Sequence, residues 1–534
     1  MSLYKIRMKK RNFIILVIFV LLSLSGAVKS QHTKEIVAYF PQWGIEHQPY
    51  YVKFIETTGA ADKITELNYA FAVPGLDSTG KIVAKFMNAH YDYQQVYSAE
   101  MSIDGQADDS AQALRGHFNQ LKKLKAKHPD LKVLVSIGGW LGSTYFSDAA
   151  LTKESREVFA ESCINTFIRG NLPVERSAGG EGVATGIFDG IDIDWEYPME
   201  GGAEGIHHNK NDKDNLTKLY ALFRKKLDGI NPDLLLTAAV PAKDDPAQLF
   251  NLREDAGYLN WYLLMTYDFC GGWDRRTGHH ANLLTNPNTP LSPSMDAAVR
   301  KYRDDYGIPA DKVIPGAAFY GRSWKNVESD NNGFNQPGII GPGIYEAGVN
   351  YYSDIIPLKK KGYKAFWDTS SMAETMYSPE EKIFWSYDET QSIALKARYV
   401  DAYDLRGIMF WEISGDDSMG TLVNTIYARQ MPGVQYDATK SENAEPAISI
   451  KKPAANTIIT KGSNLILDVE TDDADGKVVK VEFFVDDTSL GYDTKFPFSW
   501  VWFNTIPGEH TIKAIATDNN GASTISKPVP VTVN

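Results

Sequence analysis

Short apolar runs alternate with longer amphipathic stretches from about residue 34 to residue 430. The runs predict strands over Ile36–Phe40, Glu66–Val73, Leu131–Ile137, Ile187–Glu196, Leu234–Val240, Trp261–Tyr267, Val313–Phe319 and Gly407–Glu412. Between them, apolar residues recur at helical spacing over Ala111–Lys127, Ser155–Arg169 and Leu216–Leu227. Strands that alternate with helices in this way pair in parallel, and eight of them predict a closed (β/α)8 barrel. A doubly wound open sheet is the competing reading. It calls for a glycine-rich phosphate loop after the first strand, where this chain has Tyr39-Phe40-Pro41-Gln42-Trp43.

Two stretches break the alternation. The gap between the seventh and eighth strands is too long for one helix. Residues 325–404 hold strand-like pieces at Ala365–Asp368 and Lys382–Tyr387 and a helical pattern over Thr390–Tyr403, so an α+β insertion is expected there. After a polar linker at 431–446, residues 447–534 change to short alternating strands separated by Asp475-Gly476 and Asn520-Gly521 turns. That pattern predicts an all-β immunoglobulin-like sandwich. Its aromatic residues read mainly as core, but Trp500 and Trp502 alternate with Phe503, so one set is expected to face outward.

The first 30 residues carry Lys5, Arg7, Lys9, Lys10 and Arg11, then an apolar run from Phe13 to Leu22, then small residues at Ser25, Gly26, Ala27 and Ser30. This is the layout of a secretory signal peptide, which makes the mature protein extracellular; an uncleaved anchor is the competing reading. No other apolar run reaches the ~18 residues of a membrane span. Removing this segment takes the formal charge from −12 to −18. So acidic a chain is a poor candidate for nucleic acid or anionic membranes and suits a neutral or cationic polymer. The two cysteines, Cys163 and Cys270, are expected as free buried thiols.

The fourth predicted strand, Phe188-Asp189-Gly190-Ile191-Asp192-Ile193-Asp194-Trp195-Glu196-Tyr197-Pro198, carries the chemistry. Two-residue alternation puts Ile191, Ile193 and Trp195 on one face and Asp192, Asp194 and Glu196 on the other. Three carboxylates so close cannot all ionise at neutral pH, so at least one pKa rises. A raised pKa on the last of them makes Glu196 a general acid near pH 7. In parallel barrels the site lies at the C-terminal ends of the strands, where Glu196 falls.

Asp189-x-x-Asp192-x-Asp194-x-Glu196, with Gly190, Trp195 and Tyr197-Pro198, resembles the signature of the glycoside hydrolase family 18 chitinases. Ser136-Ile137-Gly138-Gly139-Trp140, Met265-Thr266-Tyr267-Asp268, Phe319-Tyr320-Gly321-Arg322 and Met409-Phe410-Trp411-Glu412 are similar to that family's other strand ends. The resemblance implies a retaining, substrate-assisted hydrolysis of β-1,4 bonds between N-acetylglucosamine units, without metal or other cofactor. It implies Glu196 as acid/base, Asp194 and Asp192 as its carboxylate partners, and Tyr267 on the substrate acetamide. Asp268, Trp411, Trp140, Met265, Tyr320 and Arg322 are then expected to line the cleft, with Tyr39 and Phe71 as further lining. Asp189, Ser136, Gly138 and Gly139 are expected to support the acidic strand. The insertion looks like the α+β wall of one subgroup. The expected partners are chitin or N-acetylglucosamine oligosaccharides, with no nucleic acid, no membrane after signal cleavage, and a monomeric enzyme. Two readings stay open beside this one: an endo-β-N-acetylglucosaminidase acting on N-glycans, and a non-catalytic chitin-binding lectin.

Overall fold

The computed structural model describes residues 34–47, 49–287, 293–429 and 443–534. The expected signal peptide and most of the expected linker lie outside them. Eight strands, β1 (Glu35–Pro41), β2 (Glu66–Leu76), β3 (Lys132–Gly138), β4 (Gly190–Asp194), β5 (Leu235–Pro241), β6 (Trp261–Met265), β7 (Val313–Ala318) and β8 (Gly407–Trp411), form one parallel sheet. It closes because β1 pairs in parallel with both β2 and β8. The fold is therefore a TIM barrel.

Alternation along each strand divides the barrel into two cores. In β1, Ile36, Ala38 and Phe40 pack outward under the helices, while Val37 and Tyr39 point into the lumen with Leu263, Ile314 and Met409. In β4, Ile191 and Ile193 face outward, followed by Trp195, whose ring stacks on Phe146 at 5.2 Å. Asp192 and Asp194 are thereby turned into the lumen.

Several boundaries differ from the sequence expectation for local reasons. The helix expected from Ala111 begins at Gly116, whose φ is +60° and whose missing Cβ leaves room for the Tyr91 carbonyl 2.5 Å away. The helix expected from Ser155 begins at Lys153, because Thr152 caps it through reciprocal bonds with Ser155. It is α-helical to Cys163 and continues as a wider turn over Ile164–Ile168. β2 runs on to Leu76 and pairs antiparallel with Ile82–Phe86.

The wall between β7 and β8 begins earlier than residue 325. Its first strand, Tyr320–Lys325, follows β7 after Phe319 alone. It pairs antiparallel with Ile383–Tyr387, then Ala373–Ser378 and Lys364–Asp368 follow across the sheet, and Val349–Tyr351 lies on the other side of Tyr320–Lys325. The Thr390–Ala402 helix packs on β7 and β8, as a barrel helix does.

The C-terminal residues form two sheets. One holds Ala447–Lys452, Leu465–Asp472 and Ser499–Trp502; the other is built on Gly508–Asp518 and Val478–Val485. The expectation that one aromatic set faces outward is not met. Trp500 stacks on Phe483 in the core, Trp502 lies against His510, and Phe503 is buried edge-on to Tyr399 of the barrel. Cys163 and Cys270 are unpaired; Cys163 is buried as expected, Cys270 only partly. Among the described residues no helix is long and apolar enough to cross a membrane.

Candidate active site

Asp192 sits at the centre of the acidic row, fully buried. The register across β3, β4 and β5 sets Ser136 and Thr237 on either side of it. Ser136 Oγ and Tyr39 Oη donate to Asp192 Oδ2 at 2.7 and 2.8 Å, and Thr237 Oγ1 donates to Oδ1 at 2.7 Å. Burial raises the Asp192 pKa, and these three donors oppose the rise. Asp194 is also buried, and its Oδ1 has no protein donor. Burial, then the charges of Glu196 and Asp192, push its pKa well up. Glu196 lies just beyond the end of β4 and is 9% exposed. Burial lifts its pKa from 4.5 to about 7; a hydrogen bond with Tyr197 works against this, and the Asp268 charge adds to it.

Backbone contacts hold this row in place. Gly139 N donates to Asp194 O at 2.8 Å, and Glu196 N donates to Ser143 Oγ at 3.0 Å. Ser143 in turn donates to Gly139 O at 2.9 Å. Gly138 has φ +119°, and a Cβ there would lie 2.0 Å from Asp194 O. At Gly139, φ +80°, a Cβ would lie 2.5 Å from the Phe71 ring. Only glycine allows this approach.

Aromatic rings line the lumen beside the acids. Trp411 stacks on Phe71 with centroids 5.7 Å apart, and Tyr39 is tilted against it at 5.4 Å. Trp140 is 51% exposed at the rim, edge-on to Tyr197. Non-proline cis peptides occur at Ala70–Phe71, Glu196–Tyr197 and Trp411–Glu412. Tyr267 Oη points to Met409 Sδ at 3.7 Å, and its ring meets Tyr320 edge-on. Burial and the charges of Asp194, Asp268 and Glu196 keep the Tyr267 hydroxyl protonated. Met265 closes β6, paired with Pro241.

Asp268 accepts two bonds from Arg322, Nε to Oδ1 and Nη2 to Oδ2, both 2.8 Å. Burial acts upward on its pKa, but Arg322 and His280 outweigh it and hold the carboxyl far below the usual range. Arg322 Nη1 also reaches Glu346 at 2.9 Å, and the guanidinium lies 5.0 Å from the Trp273 ring.

Fifteen of the sixteen expected residues gather at the C-terminal end of the barrel. Asp189 does not. It precedes β4, takes a 2.6 Å ion pair from Lys125 and accepts the Val133 amide, so it anchors the strand's far end. Sequence reading missed Ser143, Thr237, Trp43 and Trp273. Thr237 carried a readable signal, a hydroxyl at a lumen-facing position of β5. Trp43 stood beside β1 and stacks on Phe71 at 5.9 Å. Ser143 and Trp273 sit on loops, where spacing carries no orientation.

Residues 35–416 match the model of glycosyl hydrolases family 18, and residues 446–514 match a bacterial Ig domain. The chain is 36% identical to chitinase C of Streptomyces lividans over 72% of its length, and 32% identical to chitinase A1 of Niallia circulans over 74%. It spans 58% of the length of each of these relatives. The catalytic domain of psychrophilic chitinase B from Arthrobacter TAD20 superposes with a TM-score of 0.69 at 33% identity, covering 74% of this chain and 95% of that one. Chitinase ChiA74 from Bacillus thuringiensis gives 0.63 at 27% identity, covering 94% of this chain and 84% of that one. A closed barrel with an acidic row at the mouth of β4, and a family match over most of the chain, place this protein in glycosyl hydrolase family 18.

Proposed function

We propose that this chain is a secreted chitinase, which hydrolyses β-1,4 bonds between N-acetylglucosamine units with retention. The observation that carries the reading is the buried pair Asp194 and Glu196. One has a carboxyl oxygen without a protein donor, and the other has a pKa near 7. A sugar acetamide N–H supplies the donor that Asp194 lacks. Protonated Glu196 then gives its proton to the glycosidic oxygen as that bond breaks. The acetamide oxygen of the same sugar bonds to its anomeric carbon, giving an oxazolinium ion whose positive charge Asp194 stabilises. Asp192, held by three hydroxyls, takes a share of the proton between the two aspartates. Tyr267 donates to the acetamide and keeps it in line. Glu196, now a base, removes a proton from water, and the oxygen of that water opens the ring on the face the leaving group left. Trp411 and Phe71 form an apolar floor for the reacting sugar, and Trp140 offers an exposed ring at the rim. The first 30 residues are read as the export signal.

The test is product analysis on N-acetylglucosamine hexamer, with Glu196→Gln alongside. Dimers and trimers appearing first as the β anomer, and absent with the variant, support the reading. Binding without cleavage by the wild type points to a lectin, and neither binding nor cleavage points to N-glycan substrates.

A further inference from the structure

The Ig-like module is fixed to the barrel, and its contacts converge on one row of the cleft wall. In the wall sheet Trp367 pairs with Glu374, Glu374 with Tyr387, and Tyr387 with Gly321. This row runs from the module at its outer edge through Gly321 to Asn350, and Arg322, which follows Gly321, lies in the next row beside Ser386. At the outer edge Trp367 Nε1 donates to Ser499 Oγ of the module at 2.9 Å. At the next position Lys495 of the module reaches the wall's buried acids. It pairs with Glu389 Oε1 and lies 3.8 Å from Glu374 Oε2. Lys359 pairs with Glu389 from the other side at 2.7 Å. Tyr387 Oη lies 3.4 Å from a carboxylate oxygen of each, Glu374 Oε1 and Glu389 Oε2, and donates to one or the other. Glu374 is 4% exposed and Glu389 7%, so both acids are buried. Asp493, which accepts the Lys495 amide at 2.9 Å, also accepts Gln391 Nε2 of the barrel helix at 2.7 Å. That contact aims the lysine.

We propose that Lys495 is a positioning residue for the substrate cleft: by compensating Glu389 and holding it against Glu374 it fixes the wall row that passes through Gly321, the residue before Arg322, and so the Arg322–Asp268 pair at the cleft. Left with Lys359 alone, the buried Glu389 charge at the head of the Thr390–Ala402 helix is under-compensated, and its packing against Glu374 loosens. Burial lifts the Glu374 pKa to about 8 although Lys495 opposes it, whereas at Glu389 the two lysines outweigh burial and hold the carboxyl ionised, so the lysine's charge is matched by Glu389. A second patch makes the module a rigid platform for the lysine. Asn464 Nδ2 donates to Asp296 at 3.0 Å, Tyr403 Oη to Asn464 at 2.6 Å, and Asn504 Nδ2 to the Ala402 carbonyl at 2.9 Å. In this view the module is part of the catalytic body and not a tethered appendage.

The test uses the full chain with Lys495→Met, Lys495→Arg and Lys495→Met/Glu374→Gln. Three readouts are taken: amide exchange, thermal unfolding, and KM and kcat on N-acetylglucosamine hexamer. Lys495→Met is expected to speed exchange in Ala373–Ser378 and Tyr320–Lys325, and to raise KM threefold or more with kcat within twofold. Lys495→Arg is expected to restore both, and Glu374→Gln to recover part of the loss, because an amide cannot ionise beside Glu389. Faster exchange confined to the module, or a lowered melting temperature with KM unchanged, overturns the proposal. The kinetic arm rests on the chitinase reading: a wild type inactive on the hexamer sinks that reading, while the exchange arm still decides the role of Lys495.

Discussion

Glu196→Gln separates chemistry from folding. The glutamine keeps the shape of the protonated acid but has no proton to give, so kcat should fall by ~10²–10⁴. The same change should stabilise the protein. Glu196 ionises near pH 7 in the fold against 4.5 for an ordinary glutamate. Between these values the folded state holds a proton that the unfolded chain has lost, so stability declines as pH rises through this window. Above it, the wild type bears a buried charge that costs about 3 kcal/mol, at 1.36 kcal/mol per pH unit of difference. The variant does not carry that charge. Its advantage should be near zero at pH 4, grow between pH 4.5 and 7, and level off above, as a rise of a few degrees in melting temperature at pH 8. Melting curves at pH 4, 6 and 8, with hexamer hydrolysis at each, give both quantities. A variant with near-full activity refutes the role. A stability difference that is equal at pH 4 and pH 8 refutes the burial argument.

The wild type itself should lose kcat/KM above pH 7 as Glu196 ionises; a flat profile from pH 6 to 9 would count against Glu196 as the acid. Tyr39→Phe removes one of the three donors to Asp192. A hydrogen bond to a charged group is worth ~1.5–3 kcal/mol, so kcat should fall about 10- to 100-fold, and an unchanged kcat would take the Asp192 charge out of the mechanism. Gly138→Ala drives a methyl into the Asp194 carbonyl at a φ only glycine tolerates; it should destabilise the fold by more than ~2 kcal/mol, measured by denaturant unfolding. Fully deacetylated chitosan should release no soluble sugar, because it lacks the acetamide that the proposed mechanism uses as nucleophile. Its cleavage would require a different nucleophile.

The sequence by itself determined the strands, the acidic row and most of the strand-end residues. It could do so because their signals are periodic. Ile191 and Ile193 alternate with Asp192 and Asp194, and a parallel barrel turns one set outward and the other into the lumen whatever else it contains. Some expectations did not hold in detail, among them the start of the wall at Tyr320, the helix starts at Gly116 and Lys153, and the burial of Trp502 and Phe503. Each depends on a partner distant in the chain or on one local contact that periodicity does not encode. Only the tertiary structure decided the loop residues Ser143 and Trp273, because a loop side chain's direction follows from what surrounds it and not from spacing. The tertiary structure also decided the place of the C-terminal module. Lys495 is an ordinary lysine in the sequence, and it gains meaning only because folding buries Glu374 and Glu389 beside it, where a carboxylate needs a partner charge.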